Sequence, residues 1–150
     1  MALAFSLHWL WEMAQSSLYT GMLQRSWYDA TRLCTIASVG DVAITLGAYT
    51  IVASLSKDRF WAFRSPSSQP KPRYVSVPAR QLGLYLAIGL FVTAIMEFVN
   101  IAVLYRWEYG PAMPRLFGLG VAPLAQWIVV PVLIVWLARR ISSRWTGGLS

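Results

Sequence analysis

Four stretches of the chain are apolar almost throughout, and polar residues enter them at helical intervals. They run Ala2–Met22, Leu33–Leu55, Leu82–Tyr105 and Leu116–Ala138. Each is close to the roughly 20 residues that an α-helix needs to cross the hydrocarbon of a bilayer. The pattern predicts an all-α integral membrane protein, a bundle of four transmembrane helices forming a single domain over residues 1–150. The third and fourth stretches are the most uniformly apolar. The first holds His8, Glu12, Gln15, Ser16 and Ser17, so it inserts only if that polar face turns toward other helices. No basic segment precedes it, and Trp9, Trp11 and Glu12 interrupt its apolar run. It is therefore expected to be a retained helix and not a cleaved signal peptide.

Between the second and third stretches lies a polar loop, Lys57–Arg80, with the run Ser65-Pro-Ser-Ser-Gln-Pro-Lys-Pro-Arg73 at its centre. Its prolines favour extended chain, expected to rest on lipid headgroups. Trp61 and Phe63, flanked by Arg59 and Arg64, are expected to anchor a short interfacial segment. The tail is expected to fray beyond Trp145. Ala37, Gly40, Ala43 and Gly47 share one face of the second helix, and Gly83 and Ala87 one face of the third. Such small residues permit close helix approach. Pro123 and Pro131 are expected to bend the fourth helix.

Composition strengthens the membrane reading. Hydrophobic residues make up 57% of the chain and charged residues 13%, about half the charged share of a soluble domain. A soluble protein of this size could not bury so much apolar surface. The net charge of +7 would suit a nucleic-acid partner, but the basic residues flank the apolar runs, as expected of a chain facing anionic headgroups. Membrane lipids, and no nucleic acid, are the expected partners. Nine of the basic residues fall in Lys57–Arg80 and after Ala138, against four (Arg25, Arg32, Arg106, Arg115) in the other two connections. The positive-inside bias places the long loop and both termini in the cytoplasm, with the protein in a bacterial-type inner membrane.

Cys34 is the single cysteine, which excludes an intramolecular disulfide and a cysteine metal cluster. There is no phosphate-cradling glycine loop, no Cys-x-x-Cys pair and no Gly-x-Ser-x-Gly turn. The one histidine lies within a predicted span, so no surface Ser–His triad is available.

The candidate chemistry lies in the acids. Of six, three fall inside predicted spans: Glu12, Asp41 and Glu97. A carboxylate in hydrocarbon is costly and should face the bundle interior or a wet cavity. Counted from the outer ends, Glu12 and Gln126 lie about 15 Å deep and Asp41 and Glu97 about 12 Å. The acids also sit in polar stripes: His8, Glu12, Gln15 and Tyr19; Thr35, Ser38, Asp41 and Thr45; Thr93, Glu97 and Asn100. Each spacing places its set on one helical face. Together they predict a polar pocket in the outer half of the bundle. The outer connection Arg106–Arg115, stiffened by Gly110, Pro111 and Pro114, would cover it, with Arg106, Trp107 and Tyr109 at the mouth and Arg25 or Arg32 opposite.

Four readings follow. In the leading one the pocket binds a lipid-like or other amphipathic ligand. Glu12, Asp41 and Glu97 are then candidate acid/base groups, and His8, Gln15, Asn100 and Gln126 orient the ligand. In the runner-up the acids only lock helices together, in a homo-oligomer or in a subunit or assembly factor of a larger membrane complex. A metal site could draw on His8, Glu12, Asp41 and Glu97, but with one histidine and no paired Glu-x-x-His pattern no metal is assigned. Proton or cation transport is disfavoured because the polar layer fades toward the cytoplasmic side, where helices two and three offer mainly apolar residues.

Overall fold

The computed structural model describes residues 1–62 and 78–147, the side chains of 142–147 excepted. Phe63, Arg64, most of the proline-rich loop and the last three residues fall outside the described residues. The described chain is mostly helical. Its α-helices are α1 (Ala2–Gln15), α2 (Trp27–Ser56), α3 (Ala79–Phe98) and α4 (Val121–Gly147). Three of them, α2, α3 and α4, are long and apolar enough to cross a membrane. At 14 residues, α1 measures about 21 Å, short of the roughly 30 Å of hydrocarbon.

The helix ends depart from the sequence expectation at several points, each with a local cause. After Gln15 the chain tightens into a 3-10 turn, Ser16–Leu18, and then leaves the helix at Tyr19. Tyr19 instead forms an antiparallel bridge with Tyr109, in which Thr20 N donates to Glu108 O (2.9 Å) and Gly110 N to Leu18 O (2.8 Å). The connection after α1 and the connection after α3 are thereby laced together. α2 begins at Trp27, well before Leu33, because Ser26 caps it: its Oγ accepts from Asp29 N at 3.1 Å and donates to Asp29 Oδ2 at 2.6 Å. An acid in the first turn also suits the positive end of the helix dipole. α3 ends in a wider π-helical turn, Val99–Val103.

Leu116 does not open the fourth helix. It ends β1 (Arg115–Leu116), which pairs with β2 (Leu119–Gly120) across Phe117 and Gly118. Those two residues have φ of 51° and 83°, the positive values that a tight two-residue hairpin turn requires. Pro123 lies in the first turn of α4, where its missing N–H has no helical partner to lose. Pro131 stands inside the helix. α4 continues past Trp145 to Gly147.

α1 packs on α2 and α4, and α3 packs on the same two, so the helices close a ring. Along α2 the inward residues Cys34, Ser38, Asp41, Thr45, Ala48 and Val52 alternate steps of four and three, the seam of a helix supercoiling on its neighbours. That seam is polar in the half toward the laced connections and apolar in the other. The apolar end packs Ala48, Val52 and Ala53 against Trp61, Tyr85 and Val135. Trp61 is therefore a core residue and not an interfacial anchor: it is fully buried, stacked on Tyr49 and edge-on to Tyr85. The small face of α2 also differs from expectation. Ala37, Gly40, Ala43 and Gly47 are exposed, and a Cβ added at Gly40, Gly47 or Gly83 would meet nothing within 4 Å. The close helix approach occurs at Gly89, against the ring of Trp127.

Candidate functional site

The half of the ring beneath the two laced connections holds a connected set of polar side chains from α1, α2 and α4. Gln126 is its hub. It is 1% exposed, and its amide nitrogen donates both to Asp41 Oδ2 (2.9 Å) and to His8 Nδ1 (3.0 Å). With Nδ1 accepting, the proton of the neutral imidazole sits on Nε2, which donates to Thr45 Oγ1 at 3.1 Å. His8 Nδ1 and Asp41 Oδ2 are 3.7 Å apart, joined through the Gln126 amide. On the α1 side, Gln15 Nε2 donates to Glu12 Oε1 (2.8 Å) and reaches Gln126 Oε1 (3.4 Å). Trp11 Nε1 donates to Gln15 Oε1 (3.1 Å) and to Ala122 O (3.2 Å). The chain of bonds thus runs from Trp11 to Thr45 through every helix except α3.

α3 contributes the third acid. Its inward face carries Tyr85, Gly89, Thr93 and Glu97, one turn apart, and then Asn100. Glu97 accepts a short 2.6 Å bond from the hydroxyl of Tyr109, in the range of a charge-assisted bond. Glu12, Asp41 and Glu97 lie within coulombic reach of one another. None of them pairs with a Lys or Arg among the described residues. Two buried donors nearby also lack a partner: Thr93 Oγ1, one turn from Glu97, and Trp127 Nε1. The Trp127 ring leans against His8, with centroids 5.7 Å apart.

The cover is built from both laced connections. Tyr109 is buried under it, with Tyr19 packed on its ring and Trp107 edge-on to Tyr19. Arg115 donates to Tyr109 O (3.1 Å) and lies over the Tyr109 ring. Burial, and then the bond to Glu97, hold the Tyr109 phenol well above the usual tyrosine range, so it stays a donor. Asn100 is used locally: its amide donates to Met96 O at 2.7 Å and its oxygen faces Arg106 NH1 at 3.5 Å. It stands in the π-helical turn, a feature that often marks functional sites. Arg25 and Arg32 are exposed and make no ion pair among the described residues. Arg115, assigned no site role from sequence, is the cation that braces the cover.

The structure thus brings Glu12, Asp41, His8, Gln15 and Gln126 into one network, sets Glu97 and Tyr109 beside it, and leaves Arg106 and Trp107 at the rim. Tyr19 and Thr93, which the stripes placed on the pocket's faces without a role, and Trp11 and Trp127, which the sequence did not assign to it, complete the site. Trp11 and Trp127 directly follow or precede polar site residues in the chain, but a tryptophan in an apolar run reads equally as interfacial belt. Among the described residues no three His, Cys, Asp or Glu side chains are grouped to hold a metal ion.

The fold and site define a helical protein with three membrane-suited helices and an acidic polar layer under a laced cover. No protein-family model matches the chain, and no curated protein or solved structure is significantly similar to it.

Proposed function

We propose that the protein crosses a bacterial-type inner membrane four times, with both termini in the cytoplasm, and that its polar layer receives the head of an amphipathic ligand. α1 together with its 3-10 turn reaches about 27 Å, a few ångströms short of the hydrocarbon thickness, a mismatch that local thinning of the bilayer accommodates once the polar face is turned inward. Positive-inside asymmetry supports the orientation. A reporter fused after Ser150 is expected to be active in the cytoplasm only; periplasmic activity would invert the topology.

One observation carries the ligand reading. Three carboxylates without a cationic partner among the described residues stand beside a buried hydroxyl, Thr93 Oγ1, without a partner, and beside Trp127 Nε1, which is turned toward Asp41 but lies outside hydrogen-bond distance. Buried polar groups are nearly always paired, so a site that leaves both signs of hydrogen-bonding capacity unmet is suited to a polar head bearing donors and acceptors. Glu12, Asp41 and Glu97 are the groups in it able to give or take a proton. Glu97, bonded to the cover through Tyr109, links occupancy to the outer loops.

A second reading, an assembly subunit whose acids clasp its helices, draws on the way Gln15 and Gln126 satisfy Glu12 and Asp41 internally. Native mass spectrometry of the protein in mild detergent separates the two. Wild type should retain a small-molecule mass whose occupancy falls about tenfold in Glu97→Gln, as for loss of a bond to a charged group. A bare chain in both, or one held only with other proteins, would favour the clasp.

A further inference from the structure

The opposite end of the bundle carries a cleft of about 580 Å³, lined by Tyr49, Thr50, Ser54, Lys57 and Arg59. It is built where α2 stops. Asp58 N donates back to Ala53 O and Lys57 N to Ser54 O, a helix-ending motif whose left-handed position is usually filled by glycine. Here Lys57 takes it, at φ 52°, a conformation unfavourable for a residue with a Cβ. The chain beyond is drawn back over the helix: the Tyr49 hydroxyl donates to Arg59 O at 2.6 Å, and Tyr49 stacks on buried Trp61. Lys57 and Arg59 are thereby fixed at one mouth, beside the hydroxyls of Thr50 and Ser54. Both side chains are exposed and neither forms an ion pair among the described residues.

The wall beside this cationic mouth is apolar. Ile51 and Leu55, one turn apart on α2, and Phe60 are 47%, 68% and 70% exposed. A second cleft, of about 200 Å³, lies at the same end of the bundle, between Trp136, Leu137, Arg140 and Ile141. There Arg140 lies over the Trp136 ring. Both clefts place guanidinium or ammonium groups next to outward apolar side chains at one end of membrane-suited helices. That is the arrangement a phosphate-bearing lipid requires, with its head on the cations and its chains along the helix.

From this we infer that the Lys57–Arg59 cleft is a discrete binding site for one anionic phospholipid. The phosphate is held by the Lys57 ammonium and Arg59 guanidinium, with Thr50 and Ser54 as hydroxyl donors. The acyl chains run along Ile51 and Leu55. This site is independent of the acidic layer at the other end.

The test uses the full chain in mild detergent, titrated with phosphatidylglycerol or phosphatidylcholine of the same acyl chains and read by native mass spectrometry. Wild type should bind one phosphatidylglycerol about thirtyfold more tightly than Lys57→Gln/Arg59→Gln, and about fivefold more tightly than Lys57→Gln alone. Lys57→Arg/Arg59→Lys, which keeps both charges, should bind like wild type. This variant and Lys57→Gln decide the matter if the double glutamine variant fails to fold. Arg80→Gln, at the same end but outside the cleft, should leave binding unchanged. The inference is overturned if phosphatidylcholine binds as tightly, if Arg80→Gln weakens binding as much as Lys57→Gln, or if removing both charges has no effect. Displacement of the lipid by inorganic phosphate would overturn it too, since the site would then be for free phosphate.

Discussion

Gln126→Leu is expected to destabilise the protein by about 3 kcal/mol or more, the largest loss of any single polar substitution in the bundle. Leucine nearly fills the same volume, so packing changes little. What changes is the hydrogen bonding. His8 Nδ1 and Asp41 Oδ2 each lose their donor, and the Gln15 amide loses its reach across to α4. Each buried group left unpaired costs roughly 1–3 kcal/mol, and more when it is charged. Thermal or denaturant unfolding in detergent, compared between Gln126→Leu, Asp41→Asn and the double variant, measures the coupling. A non-additivity of about 1 kcal/mol or more is expected from side chains in one network. If Gln126→Leu unfolds within about 0.5 kcal/mol of wild type, the range of an ordinary surface change, the network does not hold the helices.

Gly89→Ala and Gly83→Ala should act in opposite directions although they lie on the same helix. A Cβ at Gly89 would run into Trp127 Cε3 and Cζ3. The Trp127 ring is fully buried against His8, so it has little freedom to withdraw. Overpacking of this kind costs about 1–3 kcal/mol, and displacement of Trp127 would also loosen the polar layer. At Gly83 a Cβ meets nothing within 4 Å, and replacing a helical glycine by alanine in open space gains about 0.4–1 kcal/mol. Melting temperatures of the two variants should therefore lie on either side of wild type. A neutral Gly89→Ala would show that the Trp127 ring does not press on α3 at Gly89.

The sequence predicted the helices better than their ends. Long apolar runs with polar residues every three or four positions mark α2, α3 and α4 because hydrocarbon imposes both length and composition. The ends depend on a few local bonds. Ser26-Trp-Tyr-Asp29 carries a helix-start pattern, legible once the apolar run is not required to begin the helix. Leu116-Phe-Gly-Leu-Gly120 reads as apolar helix, yet two positive φ values make it a hairpin turn; the glycines were the available signal. For the site, the helical faces that carry Glu12, Asp41 and Glu97 were legible from spacing alone. The bonds among them were not, because a stripe shows which face a residue occupies but not which neighbour it meets. Trp61 shows the same limit in reverse. Its basic flanks pointed to the interface, but stacking on Tyr49 and Tyr85 takes it into the core.

The polar hub also bears on how the chain is made. His8 and Gln126 are 118 residues apart, so α1 is made well before the α4 residue it bonds. α1 is short, and the partners that satisfy Gln15 and His8 on its polar face include a residue of α4. Until α4 has been translated, α1 therefore has no complete set of companions for its hydrophilic side. On the proposed topology its commitment to the bilayer is coupled to the synthesis of α4 rather than to its own emergence from the ribosome. Nascent chains halted before Val121 would hold α1 reversibly, open to extraction by quality-control proteases that chains including α4 escape.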